Sequence, residues 1–133
     1  MVTCIARRPA DLGSGVTVEP VDYRDPTALE GVLARATESR GPLELALCWI
    51  HTDAPEAPGV IAEALAPGAR LVQVFGTRVW PLAEPPLHVA YRQVLLGSHE
   101  GHWLTHEEIS AGVLAAVDAD RPVWVVGERQ VSD

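Results

Sequence analysis

The chain has no lysine; all ten of its Lys+Arg residues are arginines. Every mechanism that needs a lysine is therefore excluded, including Schiff-base catalysis and the Tyr-Lys pair of many reductases. A GC-rich coding bias accounts for its origin and suits the abundant Ala, Pro and Arg. Positive charge is scarce overall. Ten basic residues face 18 acidic ones, for a net charge of −8 and a pI near 5.0. That balance speaks against nucleic acid as a main partner, because phosphate binding needs a basic patch. Cysteine is sparse too. Cys4 and Cys48 both lie in apolar strand-like runs, with no CxxC or Cys/His zinc spacing. They read as small buried hydrophobes rather than a disulfide framework. No apolar run approaches the roughly 20 residues of a membrane span. No basic stretch precedes an apolar one at the N-terminus, so no signal peptide is expected. The expected location is the cytoplasm, with no membrane partner.

What is present suits one compact domain, residues 1–133. A chain of 14.3 kDa buries about two thirds of its unfolded surface. Hydrophobic residues at 47% and charged residues at 21% argue against disorder. Val2 to Ala6 and Val16 to Val21 read as strands, separated by a loop with Pro9, Gly13 and Gly15 as breakers. Asp25-Pro26 supplies an N-cap and a first-turn proline for a helix to about Ser39. Its stripe is Ala28, Leu29, Val32, Leu33 and Ala36. Leu43 to Ile50 is almost wholly apolar, the pattern of a strand covered on both faces. A short helix follows within Pro55 to Ala66, stopped by Pro67-Gly68. Ala69 to Phe75 and Leu87 to Leu96 read as strands, separated by a proline-rich loop. Ser98 to Leu104 reads as a loop. Thr105 and Glu108 form a capping box opening a third helix, and Pro122 to Val126 is a last strand. The order β-β-α-β-α-β-β-α-β predicts an α/β fold. Its sheet is expected to be mostly parallel, with about six strands flanked by helices.

Several segments resemble short-chain dehydrogenase/reductase proteins. Val2 to Leu12 is similar to their second strand and its turn. Val18 to Asp25, with Asp22-Tyr23-Arg24-Asp25, is similar to their third. Gly41-Pro42-Leu43-Glu44-Leu45-Ala46-Leu47 resembles the approach to their fourth strand, and Ala69 to Thr77 their fifth. The tail, from Tyr91-Arg92-Gln93-Val94-Leu95-Leu96-Gly97 through Trp103 to Ser110, is similar to a divergent bacterial subgroup. The resemblance implies a truncated Rossmann-like fold, NADP(H) as cofactor and carbonyl or alcohol redox chemistry. The departures are equally specific. The family's first strand and glycine-rich pyrophosphate turn have no counterpart, and no G-x-G-x-x-G occurs. Cys48-Trp49-Ile50-His51 stands where the family has Asn-Asn-Ala-Gly. A Tyr-x-x-x-Lys counterpart from Tyr91 meets Leu95.

The resemblance marks Arg7 and Arg8 for a 2′-phosphate, and Asp22 and Tyr23 for a position beside adenine. Turn chemistry is the plainer reading of Asp22. Trp49 and His51 fall at the C-terminal end of a central strand, where open α/β sheets bind ligands. His51 there is a candidate acid or base, or a strand-end cap. Gly76 and Thr77 end the next strand, and Thr77 lies close to the family's catalytic serine. Tyr91 follows at the family's serine-to-tyrosine separation. Without lysine to lower its pKa, Tyr91 reads better as a packing residue with a satisfied hydroxyl. His99, His102 and His106, with Glu107 and Glu108, cluster in sequence. Their spacing matches no zinc signature, and the two glutamates suit a helix start. No metal is therefore assigned. Trp80 and Trp103 fall in loops, where an exposed aromatic anchors a partner or covers a core rim.

In the resembled fold the missing strand lies between the second and the fourth. Either those two pair directly, or a neighbour fills the gap, since open apolar edges aggregate. A homodimer is the expected remedy. Three functions stay open. One is a divergent NADP(H)-dependent oxidoreductase with weakened or altered activity. Another is a non-catalytic binding or interaction module, a pseudoenzyme on a truncated Rossmann scaffold with no cofactor; a small-molecule ligand at the strand C-terminal edge is the expected partner. The last is a small non-redox enzyme using His51.

Overall fold

The computed structural model describes residues 2–6, 15–49, 56–76 and 87–128. The elements are β1 (Val2–Ala6), β2 (Val16–Pro20), α1 (Pro26–Arg40), β3 (Leu43–Cys48), α2 (Ala57–Glu63), β4 (Leu65–Phe75), β5 (Ala90–Leu96), β6 (Ser98–His99), β7 (His102–Trp103), α3 (His106–Ala119) and β8 (Val123–Val126). The chain is thus α/β. A four-stranded sheet of order β3-β4-β5-β8 forms its centre, and all three pairings are parallel.

Among the described residues the expected sheet of about six strands does not form as one. The six longer strands divide into this set of four and a separate parallel pair, β1-β2. Among the described residues β1 and β3, whose direct pairing is one of the two expected arrangements, do not pair. β3 is consequently an edge strand of the central sheet, although its sequence reads as an interior one.

The helix starts follow their cap chemistry. Asp25 accepts from the backbone N–H groups of Thr27 and Ala28 at 3.1 and 3.2 Å. Thr105 and Glu108 exchange both bonds of a capping box, at 2.9 and 3.2 Å. Each satisfies amides that a helix leaves unpaired at its start. α1 and α2 cover one face of the sheet. There Leu29 and Leu33 meet Ala57, Ile61 and Ala62 over Ala46, Cys48 and Leu71. α3 covers the other face, where Ile109, Val113 and Ala116 pack on Val72, Val74, Val94 and Val126.

Three boundaries differ from expectation. Pro67-Gly68 does not stop a helix. α2 ends earlier, and the pair lies within β4, where the register against β3 shifts between Leu43 and Leu45. Gly68 takes φ of +80° there, a conformation that suits glycine. Its N–H donates to the His88 carbonyl at 2.6 Å. β5 starts at Ala90 rather than Leu87, which is fully exposed. Ser98 to Leu104 is not a plain loop. β6 and β7 pair antiparallel around Glu100-Gly101, whose φ values of 49° and 81° suit a two-residue hairpin turn.

Candidate functional site

A parallel sheet brings the C-terminal ends of its strands to one rim, where open α/β folds bind ligands. Here that rim gathers Trp49 after β3, Gly76 after β4, Gly97 after β5 and Gly127 after β8. Three of the four are glycines, but Gly97 is buried with its N–H donating to the Val126 carbonyl at 2.8 Å, and a Cβ on Gly127 would meet the Ser98 carbonyl at 2.6 Å. Register then sorts the side chains by face. Cys48 pairs with Gln73 and Leu47 with Val72. Strand alternation therefore puts Leu45, Leu47 and Trp49 on the face of Val72 and Val74, the α3 face. α3 does not reach across to β3. Leu45, Leu47 and Trp49 remain 40%, 48% and 47% exposed.

The β6-β7 hairpin brings a second indole to the same place. A Cβ built on Gly76 would lie 3.9 Å from Cη2 of Trp103, so the Trp103 ring lies over the end of β4. Trp103 is itself 48% exposed. Strand spacing of about 4.8 Å and a rise of about 3.3 Å per residue put Trp49 and Gly76 within roughly 10 Å of each other. Two half-open indoles thus stand at the ends of two neighbouring strands. Sequence reading noted Trp103 but assigned it a plain loop. The signal it lacked was Glu100-Gly101 as a hairpin turn.

The other predicted site residues fall as follows. Arg7, Arg8, His51 and Thr77 lie outside the described residues, as does Trp80. Asp22 is tied into its own turn. Its carboxylate accepts from Arg24 Nη2 at 2.7 Å, and its carbonyl accepts from Asp25 N at 3.0 Å. Tyr23 packs against the α1-α2 core. Tyr91 pairs with Leu71, five residues before Gly76 and well below the rim. Its hydroxyl donates to Gln73 Oε1. Gln73 is the one buried polar residue among the described ones, so this bond satisfies an amide that burial would otherwise penalise.

The described residues do not fit a dinucleotide's pyrophosphate. Such a group sits on free N–H groups at a helix start. The Thr27 and Ala28 amides that open α1 are taken by Asp25; in α3 the Thr105 side chain takes the Glu108 amide, and Glu107 and Glu108 put negative charge in the first turn, which repels a pyrophosphate. The start of α2 has proline in its first turn and runs only from Ala57 to Glu63.

A broad, open depression lies at the opposite rim, lined by Arg70, Leu114, Ala115, Val117, Asp118 and Asp120. Its charges answer one another. Asp120 accepts from Arg92 Nε at 2.9 Å and faces Arg70 Nη1 at 3.4 Å. Arg70 also donates to the Val117 carbonyl at 2.6 Å. The hydrogen bond from Arg92 is the main cause holding the Asp120 carboxyl below its usual range. This network fastens the end of α3 to β4 and β5.

No helix among the described residues is long and apolar enough to cross a membrane. Neither a scan against protein-family models nor a search among curated proteins returned a match.

Proposed function

We propose that this chain is a non-catalytic binding module that takes a planar ring at the C-terminal rim of its sheet, between Trp49 and Trp103. One observation carries the reading: two half-exposed indoles at neighbouring strand ends, Trp49 after β3 and Trp103 over the end of β4. Indoles left open to water on a rim stack readily on flat ligands. Gly76, with no side chain, lets the Trp103 ring lie over the end of β4.

This reading favours the binding side of the resemblance over its redox side. Tyr91 is engaged on Gln73 below the rim. The chain has no lysine to pair with it. Of the described helix starts, α1 is capped by Asp25, α3 is acidic in its first turn, and α2 is short and carries proline. The proposal includes a homodimer, supported by the open edge of β3.

Tryptophan fluorescence titrations with adenosine, riboflavin and NADPH test it. Saturable quenching in the micromolar range is expected from at least one flat ring, with loss of at least about tenfold in affinity in Trp49→Ala and in Trp103→Ala. No quenching by any of the three at millimolar concentration would sink the proposal. NADPH binding far more tightly than adenosine would return the dinucleotide reading to first place.

A further inference from the structure

The hairpin that carries Trp103 also carries His99 and His102, which have no part in the ring site and whose geometry points to a chemistry of their own. We propose that His99, His102 and Glu108 form a binding site for a divalent transition-metal ion of the zinc class, completed when their side chains rotate toward one another.

The hairpin creates the pair. His99 and His102 stand directly across from each other on β6 and β7, which puts both imidazoles on one face. Their ring centroids are 5.6 Å apart in an edge-to-face arrangement. Two imidazoles sharing one tetrahedral ion, with metal–nitrogen bonds of about 2.0–2.1 Å, need centroids about 5 Å apart. His102 is already oriented. Its Nδ1 lies 2.7 Å from the Trp103 carbonyl. A carbonyl only accepts, so Nδ1 donates and Nε2 carries the free lone pair of the neutral ring. Metal-ligating histidines are held in this way, by a backbone carbonyl on the other ring nitrogen.

Glu108 is the third group, and the capping box fixes it. Oε1 accepts from Thr105 N at 2.9 Å, while Oε2 lies 4.0 Å from His99 Nε2. The backbone hydrogen bond from Thr105 is the main cause holding this carboxyl below its usual range. As placed, no three such side chains among the described residues are close enough to hold an ion, so side chains must move to form the site. Ligands on one tetrahedral zinc stand about 3.3 Å apart, so Glu108 and His99 must close by roughly 0.7 Å. Both are side chains near solvent, and His99 is 48% exposed. Two nitrogens and one oxygen match the borderline softness of zinc, cobalt and nickel, and they leave a position open. Glu100 at the hairpin tip and Glu107 in the first turn of α3 add local negative charge.

The test titrates zinc chloride into the full chain by calorimetry and cobalt chloride by visible absorption. One ion per chain is expected, with a strong tetrahedral cobalt band. His99→Ala and His102→Ala should each weaken binding by at least about tenfold and abolish the band. Glu108→Gln keeps an oxygen for Thr105 N, hence the cap, and should weaken zinc by several-fold while helicity stays constant. His88→Ala should change nothing, because His88 Nε2 is engaged on the Ala62 carbonyl at 3.0 Å. No binding at millimolar zinc, binding indifferent to both His99→Ala and His102→Ala, or binding indifferent to Glu108→Gln would each overturn the three-ligand site.

Discussion

Cys48 links the chemistry of one side chain to the packing of the whole sheet. It points into the core beneath α1 and α2, and burial pushes its thiol from 9.0 up to about 12. Only the protonated thiol is compatible with that environment. The folded state therefore keeps a proton that the unfolded chain releases above pH 9. The resulting contribution is fully present below pH 9 and is lost as pH rises from there toward 12, by about 1.4 kcal/mol per pH unit. Urea denaturation at pH 8, 9.5 and 10.5 measures it. Stability should fall more steeply with pH in the wild type than in Cys48→Ala, and parallel slopes would refute the assignment. For the same reason Cys48 should resist maleimide in the native state, since the thiolate is the reactive form. Cys4, only half-buried in β1, is the thiol expected to be labelled.

At the scale of elements, the helix starts were legible in the sequence because they depend on neighbours. Asp25-Pro26 and Thr105 with Glu108 specify caps within four residues, and both caps form as read. Strand partners depend on residues far away, which is why an interior-type sequence such as Leu43 to Cys48 gave no warning of its edge position. Pro67-Gly68 misled for a related reason. The pair breaks a helix or bulges a strand equally well, and its partner at His88 decides between the two. The rim was foreseen at Trp49 and Gly76, because strand ends follow from strand order. Trp103 was not, because its place depends on a hairpin turn formed by Glu100, a residue uncommon at positive φ. Helix–sheet contact is likewise a long-range fact. A Cβ on Gly112 of α3 would run into Val126, with Cγ2 at 2.8 Å. A Cβ on Gly31 of α1 would meet only the flexible Arg35 side chain, at 3.8 Å. The same substitution therefore has opposite signs. Gly31→Ala should stabilise by about 0.5–1 kcal/mol through helix propensity. Gly112→Ala gains that same amount but adds overpacking of roughly 1–3 kcal/mol, for a net loss. Thermal denaturation of the two variants decides, and equal shifts would show that α3 does not pack this closely on β8.

At the scale of the molecule, the two helical layers leave the sheet diagonally open. α1 and α2 cover β3 and β4 on one face, so Val123 and Val125 of β8 stay 51% and 39% exposed. α3 covers β4, β5 and β8 on the other face, so Leu45 and Leu47 of β3 stay open. The β3 corner is the more consequential, because two kinds of unmet valence coincide there. No strand among the described residues pairs with its outer edge, and its open face is apolar. Proteins usually protect such an edge with charge, a bulge or a cover, and Glu44 is the one charged residue within β3. A second copy of the chain meets both needs, as the proposed homodimer requires, because a two-fold contact sets the same strand against itself. Sedimentation velocity across a concentration series should therefore show association of the wild type. Leu47→Lys should shift the equilibrium toward monomer, since a charge at the centre of a dry contact is costly to bury. Helicity should be unchanged, because Leu47 lies outside both cores. A wild type that remains monomeric at high concentration would refute the dimer. Because Leu47 adjoins Trp49, the dimer contact and the ring site share a border. A flat ligand that binds between Trp49 and Trp103 should then alter the dimer's dissociation constant, and by linkage the ligand's own affinity should vary with protein concentration by the same factor.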